Sequence, residues 1–110
     1  TAINLRWAAE RMRRTASHRA VLALPSSFQR VCAQLALLAQ KFGDGRMVIV
    51  MPPTHQEIAI MVNTSRETVT RTLQFLQSQK VVTRAGNELV VQQPDTLQDA
   101  ADGKVTPTKS

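Results

Sequence analysis

The sequence predicts a mainly helical fold with a small antiparallel β-sheet, and three observations carry that prediction. Apolar residues recur at steps of three and four from Phe28 to Phe42, which is the spacing of one helix face. Two further helical stretches, His55 to Val62 and Ser65 to about Gln79, each follow a hydroxyl side chain suited to cap a first turn, with only a tight turn between them. Two β-rich runs, Val81 to Thr83 and Glu88 to Val91, flank Ala85-Gly86-Asn87, which is the pattern of a hairpin.

Size and composition bound what such a fold can do. A chain of 110 residues buries about two-thirds of its unfolded surface and supports one modest core, which excludes a two-lobed enzyme. The 14 basic and 8 acidic residues leave a net charge of +6, so the favoured partner is acidic. No purely apolar run exceeds five residues, as in Met47 to Met51, far short of the roughly 18 a bilayer span needs. Cys32 is the single cysteine, so an intrachain disulfide and multi-thiol zinc sites are excluded. The expected location is the cytoplasm, because no signal segment is visible. The chain opens at Thr1 in what reads as a helix, the expectation being a piece of something longer.

Residues 1–24 form a segment with six charges, five of them arginine, and no glycine or proline before Pro25, so a helix is expected there. Its apolar positions keep only a ragged period, and a helix that cannot bury itself needs a partner. Pro25-Ser26-Ser27 supplies the start of the next helix. Its apolar stripe runs Phe28, Val31, Cys32, Leu35, Leu38, Ala39 and Phe42, with Gly43 expected as the left-handed terminator. Cys32 lies on that stripe and reads as a small buried hydrophobe. Asp44-Gly45 signals a turn, Met47 to Met51 a strand, and Pro52-Pro53 its end. Thr54 and Glu57 are spaced as a capping box. After Pro94 the composition turns polar, and residues 94–110 are expected to be a disordered tail. Twelve basic against five acidic residues precede Pro94, so the positive field belongs to the folded part.

The informative segment is the pair of short helices. Two helices crossing steeply need a small residue where they pass, a turn residue that accepts positive φ, and an inward apolar residue on the second helix. Ala59, Asn63 and Val69 stand at those places, and asparagine tolerates the left-handed conformation better than any residue but glycine. These offsets fit a helix-turn-helix. At about 100° per residue from Arg66, Thr70 falls near 40°, Glu67 near 100° and Arg71 near 140°, while Thr72, Val69, Leu76 and Leu73 fall between about 240° and 340°. One face therefore packs on the protein, and the other offers two guanidinium groups and a carboxylate. Arginine bonds the two major-groove acceptors of guanine, and glutamate accepts from the amino group of cytosine. Ser65 and Thr68, at the helix start, are placed for phosphate oxygens, with Thr70 as a further phosphate or positioning candidate. A carboxylate among phosphates is costly, so Glu67 is expected to meet a cytosine or to orient Arg71 through an i,i+4 pairing.

The stretch Thr54-His55-Gln56-Glu57-Ile58-Ala59, the run Ser65-Arg66-Glu67-Thr68-Val69-Thr70-Arg71, and Val81-Val82 with Gly86 together resemble the C-terminal DNA-binding domain of the catabolite-activator (CRP/FNR) family of bacterial transcription regulators. The resemblance covers roughly residues 20–93. It implies a winged helix-turn-helix over 25–93, preceded in 1–24 by the end of a long dimerisation helix. It further implies a homodimer through that helix, double-stranded DNA as partner, and RNA polymerase as another. Arg66, Glu67 and Arg71 would read bases in a palindromic half-site similar to TGTGA. Gln56, Ser65, Thr68 and the wing residues Arg84 and Asn87 would hold phosphates. The sequence departs from the family pattern at Asn63, where glycine is common, at Thr72, usually aliphatic, and in lacking a histidine or lysine near Gly86.

Other chemistry has little support. His18 and His55 are far apart with no companion ligand at metal spacing, so no metal and no cofactor are expected in this chain. Neither a nucleophile elbow nor a glycine-rich phosphate loop occurs, so no enzymatic activity is expected. The alternative reading is a winged-helix module for protein–protein assembly, with the N-terminal helix as its interface. Binding that falls steeply with salt separates phosphate contact from such an apolar interface.

Overall fold

The computed structural model describes residues 18–105. Of the expected N-terminal helix, residues 1–17 lie outside the described residues, as do residues 106–110 of the expected tail. Residues 18–22 are helical. Helix α1 spans Ser27–Leu38, the short strand β1 Gln40–Lys41, and β2 Met47–Val50. Helices α2, His55–Val62, and α3, Arg66–Ser78, follow; then come strands β3, Val82–Ala85, and β4, Glu88–Val91, and finally helix α4, Pro94–Ala101. The four strands form one antiparallel sheet in the order β1-β2-β4-β3. The α2–α3 pair is thus inserted between two hairpins, whose inner strands β2 and β4 pair with Val48 opposite Val90.

Local chemistry explains most of these elements. Ser26 caps α1, its Oγ accepting from the Gln29 N–H at 3.1 Å. Thr54 and Glu57 form the expected capping box, with the Glu57 N–H donating to Thr54 Oγ1 at 3.1 Å and the Thr54 N–H to Glu57 Oε1 at 2.8 Å. Such a cap is worth about 1 kcal/mol over alanine. The β3–β4 hairpin turns through Gly86, at φ +62°, and Asn87, and a glycine with positive φ at the first turn position matches the twist of the flanking strands.

One core serves the described residues. Val31, Cys32 and Leu35 of α1, Ile58 and Val62 of α2, Val69 and Leu76 of α3, and Ile49, Val82 and Leu89 of the sheet are all buried. Phe28 and Phe75 meet edge to face with centroids 5.8 Å apart, which links α1 to α3. Burial pushes the Cys32 thiol up to about 12, because a thiolate there would have to leave water. The inert reading of Cys32 stands.

The structure corrects the sequence reading at two places. Helix α1 ends at Leu38, not near Phe42, and Gly43 does not terminate it. Ala39 is already extended, at φ −70° and ψ 136°, and Gln40 and Lys41 pair with Val48 and Met47. The Phe42 N–H donates to the Arg46 carbonyl at 2.8 Å, and the left-handed residue is Gly45, at φ +91°. Arg46 holds that turn closed, its backbone N–H and guanidinium both donating to Asp44 and keeping that carboxyl below the usual carboxylate range.

The second correction concerns the tail. Residues 94–101 are helical rather than disordered. Pro94 opens α4 at a position where its missing N–H costs nothing. Leu97, Ala100 and Ala101, at spacings of three and one, are buried, and α4 packs against α1. The helix ends in a Schellman arrangement: the Lys104 N–H donates to the Asp99 carbonyl at 2.8 Å, the Gly103 N–H to the Ala100 carbonyl at 3.2 Å, and Gly103 adopts φ +84°.

Candidate nucleic-acid interface

The exposed face of α3 is built from its cap upward. The Ser65 Oγ accepts from the Thr68 N–H at 3.1 Å and lies 2.8 Å from the Thr68 hydroxyl. It thereby satisfies one amide of the first turn and leaves the others directed outward. Val69, Thr72, Leu73 and Leu76 are buried, the four residues that the angular count assigns to the packed side. Thr72 therefore fills an inward position despite its hydroxyl. Arg66, Glu67 and Arg71 are exposed. Among the described residues the one ion pair within 4.0 Å is Arg46–Asp44, so the expected Glu67–Arg71 pairing is not formed. All three charged groups of the face are available to a ligand.

The turn before α3 has the expected form. Asn63 adopts φ 58° and ψ 58°, and the Thr64 N–H donates to the Ala59 carbonyl at 2.9 Å. Ala59 is buried where the two helices pass. His55 Nδ1 lies 2.7 Å from Thr70 Oγ1, so the first turn of α2 sits beside the second turn of α3. Thr70 is half-buried and engaged by that bond. Gln56 follows His55 in the same first turn and is exposed. Arg84 and Asn87 are exposed at the β3–β4 hairpin. The structure therefore gathers Ser65, Arg66, Glu67, Thr68, Thr70 and Arg71 on one helix, carries Gln56 on its neighbour, and places Arg84 and Asn87 on a separate hairpin.

Sequence reasoning missed two supporting side chains. Arg30 of α1 reaches the carbonyl of Val62 from Nε at 2.8 Å and that of Leu24 from Nη1 at 3.0 Å. Gln93 Nε2 donates to the carbonyls of Gln79 and Lys80 at 3.2 and 3.1 Å, satisfying acceptors at the C-terminal end of α3. The signal for Arg30 was an arginine flanked by Phe28, Val31 and Cys32 on a mainly buried helix.

Among the described residues no cluster of histidine, cysteine, aspartate or glutamate is arranged to hold a metal ion, and no helix is long and apolar enough to cross a membrane.

With this geometry in view, residues 29–100 match the Crp-like helix-turn-helix domain. The chain belongs to that family. It is 33% identical over 96 residues to a CRP-like cAMP-activated global transcriptional regulator of Mycobacterium tuberculosis, an alignment covering 84% of this chain and 43% of that protein. The chain thus spans less than half the length of this relative. A CRP-family transcriptional regulator of Thermus thermophilus superposes with a TM-score of 0.66 at 22% identity, covering 94% of this chain and 54% of the other. The catabolite activator protein of the same organism superposes at 0.51 with 25% identity, covering 94% and 44%. This Crp-like domain is accordingly a winged helix-turn-helix, with α2 and α3 as the helix pair and β3–β4 as the wing. Its match runs to residue 100, so all of α4 but its last residue falls within the family's domain.

Proposed function

We propose that the chain is the double-stranded DNA-reading part of a transcription regulator, with α3 laid in the major groove of a palindromic half-site similar to TGTGA. The observation that carries this reading is the division of α3 into a buried side, Val69, Thr72, Leu73 and Leu76, and an exposed side whose Arg66, Glu67 and Arg71 have no ion-pair partner among the described residues. Arg66 and Arg71 bond guanine edges, and Glu67 accepts from a cytosine amino group. Ser65, Thr68 and Gln56 contact phosphate near the start of α3, where exposed amides and the helix dipole favour negative charge. Thr70 positions α3 through His55, and Arg84 and Asn87 contact flanking backbone from the wing. Residues 1–24 supply the dimer contact that sets two half-sites one helical turn apart, about 34 Å. Contact with RNA polymerase belongs to the same reading of the whole regulator.

The test is selection of bound duplexes from a random pool, followed by a salt titration on the enriched site. An enriched palindrome with the logarithm of affinity falling linearly in log salt supports the reading. Enrichment of no sequence, with salt-insensitive association between protein chains, would support the assembly module instead.

A further inference from the structure

Resting on that reading, we propose that Arg30, whose guanidinium is bonded to acceptors within the protein, is a positioning residue that sets the angle at which α3 is presented. Its guanidinium spends its donors inside the protein. Nε donates to the Val62 carbonyl at 2.8 Å, Nη1 to the Leu24 carbonyl at 3.0 Å, and Nη2 to Ser27 Oγ at 3.1 Å and, more weakly, to the Asn63 carbonyl at 3.4 Å. Val62 and Asn63 are the last helical residue and the cap of α2, whose carbonyls have no partner within the helix and carry the negative end of its dipole. Leu24 lies between the helical residues 18–22 and α1. One planar group therefore ties together the incoming chain, the start of α1 and the turn on which α3 pivots.

The choice of arginine follows from that geometry. No carboxylate pairs with Arg30 among the described residues, so the side chain is not kept for an ion pair. Its acceptors lie in several directions around a single fork, which a guanidinium spans in a fixed plane and an ammonium, as a point charge, does not. Asn63 immediately precedes Thr64 and the Ser65 cap, so a displacement at the Val62 and Asn63 carbonyls is passed directly to the first turn of α3. Arg66, Glu67 and Arg71 read bases only if that turn is held in register, whereas phosphate attraction tolerates misalignment.

The experiment measures the ratio of dissociation constants for a scrambled and the selected duplex, with the intact chain and with Arg30→Lys and Arg30→Ala. Both duplexes see the same folded fraction, so simple loss of stability cancels from the ratio. Positioning predicts that Arg30→Ala lowers the ratio roughly tenfold, the discrimination that a single bidentate base pairing supplies. It also predicts that Arg30→Lys lowers the ratio by at least about threefold despite the retained charge, with scrambled-duplex affinity unchanged. Ratios equal to the parent's in both variants would overturn the proposal and leave the DNA reading intact. A parent chain that enriches no duplex overturns both.

Discussion

Arg30 and Arg66 stand in one small fold and use the same side chain in opposite ways. The Arg30 guanidinium is half-buried and donates to three backbone carbonyls and a serine hydroxyl. That of Arg66 is exposed and has no ion-pair partner among the described residues. Both add equally to a net charge of +6, yet only the second lies on the exposed face of α3 proposed to meet DNA. Charge counting therefore overstates the interface. What separates the two is whether unsatisfied carbonyls lie within reach, and helix ends such as that of α2 supply them.

The same division runs through the described residues, between a face left unsatisfied and a frame whose buried side-chain polar atoms are bonded within the protein, Gln34 Oε1 excepted. The frame includes α4, and the largest effect expected from breaking this contrast falls there. Leu97 is 2% exposed between α4 and α1. Leu97→Ala is expected to cost about 2–5 kcal/mol, read as a lower midpoint in urea at unchanged slope. That is a large share of the roughly 5–15 kcal/mol by which a small domain is stable. A loss below about 0.5 kcal/mol would show α4 to be an ornament on the domain rather than part of its frame.

The exposed face is expected to behave conversely. Arg66→Ala and Arg71→Ala should each weaken binding to the selected duplex by about 1–3 kcal/mol and relax base choice at one position. Being on the surface, they should move the melting midpoint little. Glu67→Ala should relax preference at a cytosine while leaving affinity for scrambled duplex equal or higher, because it removes a negative charge near phosphates. Equal losses on every sequence would demote the arginines to phosphate contacts, and unchanged discrimination by Glu67→Ala would remove Glu67 from base reading.

How much of this was legible in the sequence depends on how local each cause is. The α2–turn–α3 unit rests on short-range rules: the Thr54–Glu57 box, the left-handed Asn63 and the α3 stripe all act within a few residues. Helix α4 escaped because its buried side is one leucine and two alanines, a pattern hidden in a polar average. The end of α1 was misplaced because Phe42 continues the apolar period, while Gln40 and Lys41 are claimed by a strand that begins at Met47. The clamp of Arg30 was invisible for a different reason. Its acceptor at Val62 is a backbone carbonyl 32 residues away, and backbone groups carry no sequence signature. The exposed face that holds Arg66, Glu67 and Arg71, the residues proposed to read bases, was legible because exposure on α3 follows directly from its period.

The smallest effect expected is at Asn63, and it distinguishes the shape of the turn from the bonds that hold it. Asn63 sits at φ 58°, a conformation that costs a residue with an ordinary Cβ about 1–2 kcal/mol. Asparagine as a residue type adopts the left-handed region more readily than alanine, and glycine avoids the cost but loses more chain entropy on folding. Asn63→Ala is therefore expected to destabilise by about 1 kcal/mol, and Asn63→Gly to stay within about 0.5 kcal/mol of the parent. Both variants keep the backbone carbonyl that Arg30 reaches, so the ratio of scrambled to selected duplex affinity should not change in either. A ratio that fell with Asn63→Gly while stability held would mean that the asparagine side chain itself aligns α3, and the role assigned to Arg30 would have to be shared with it.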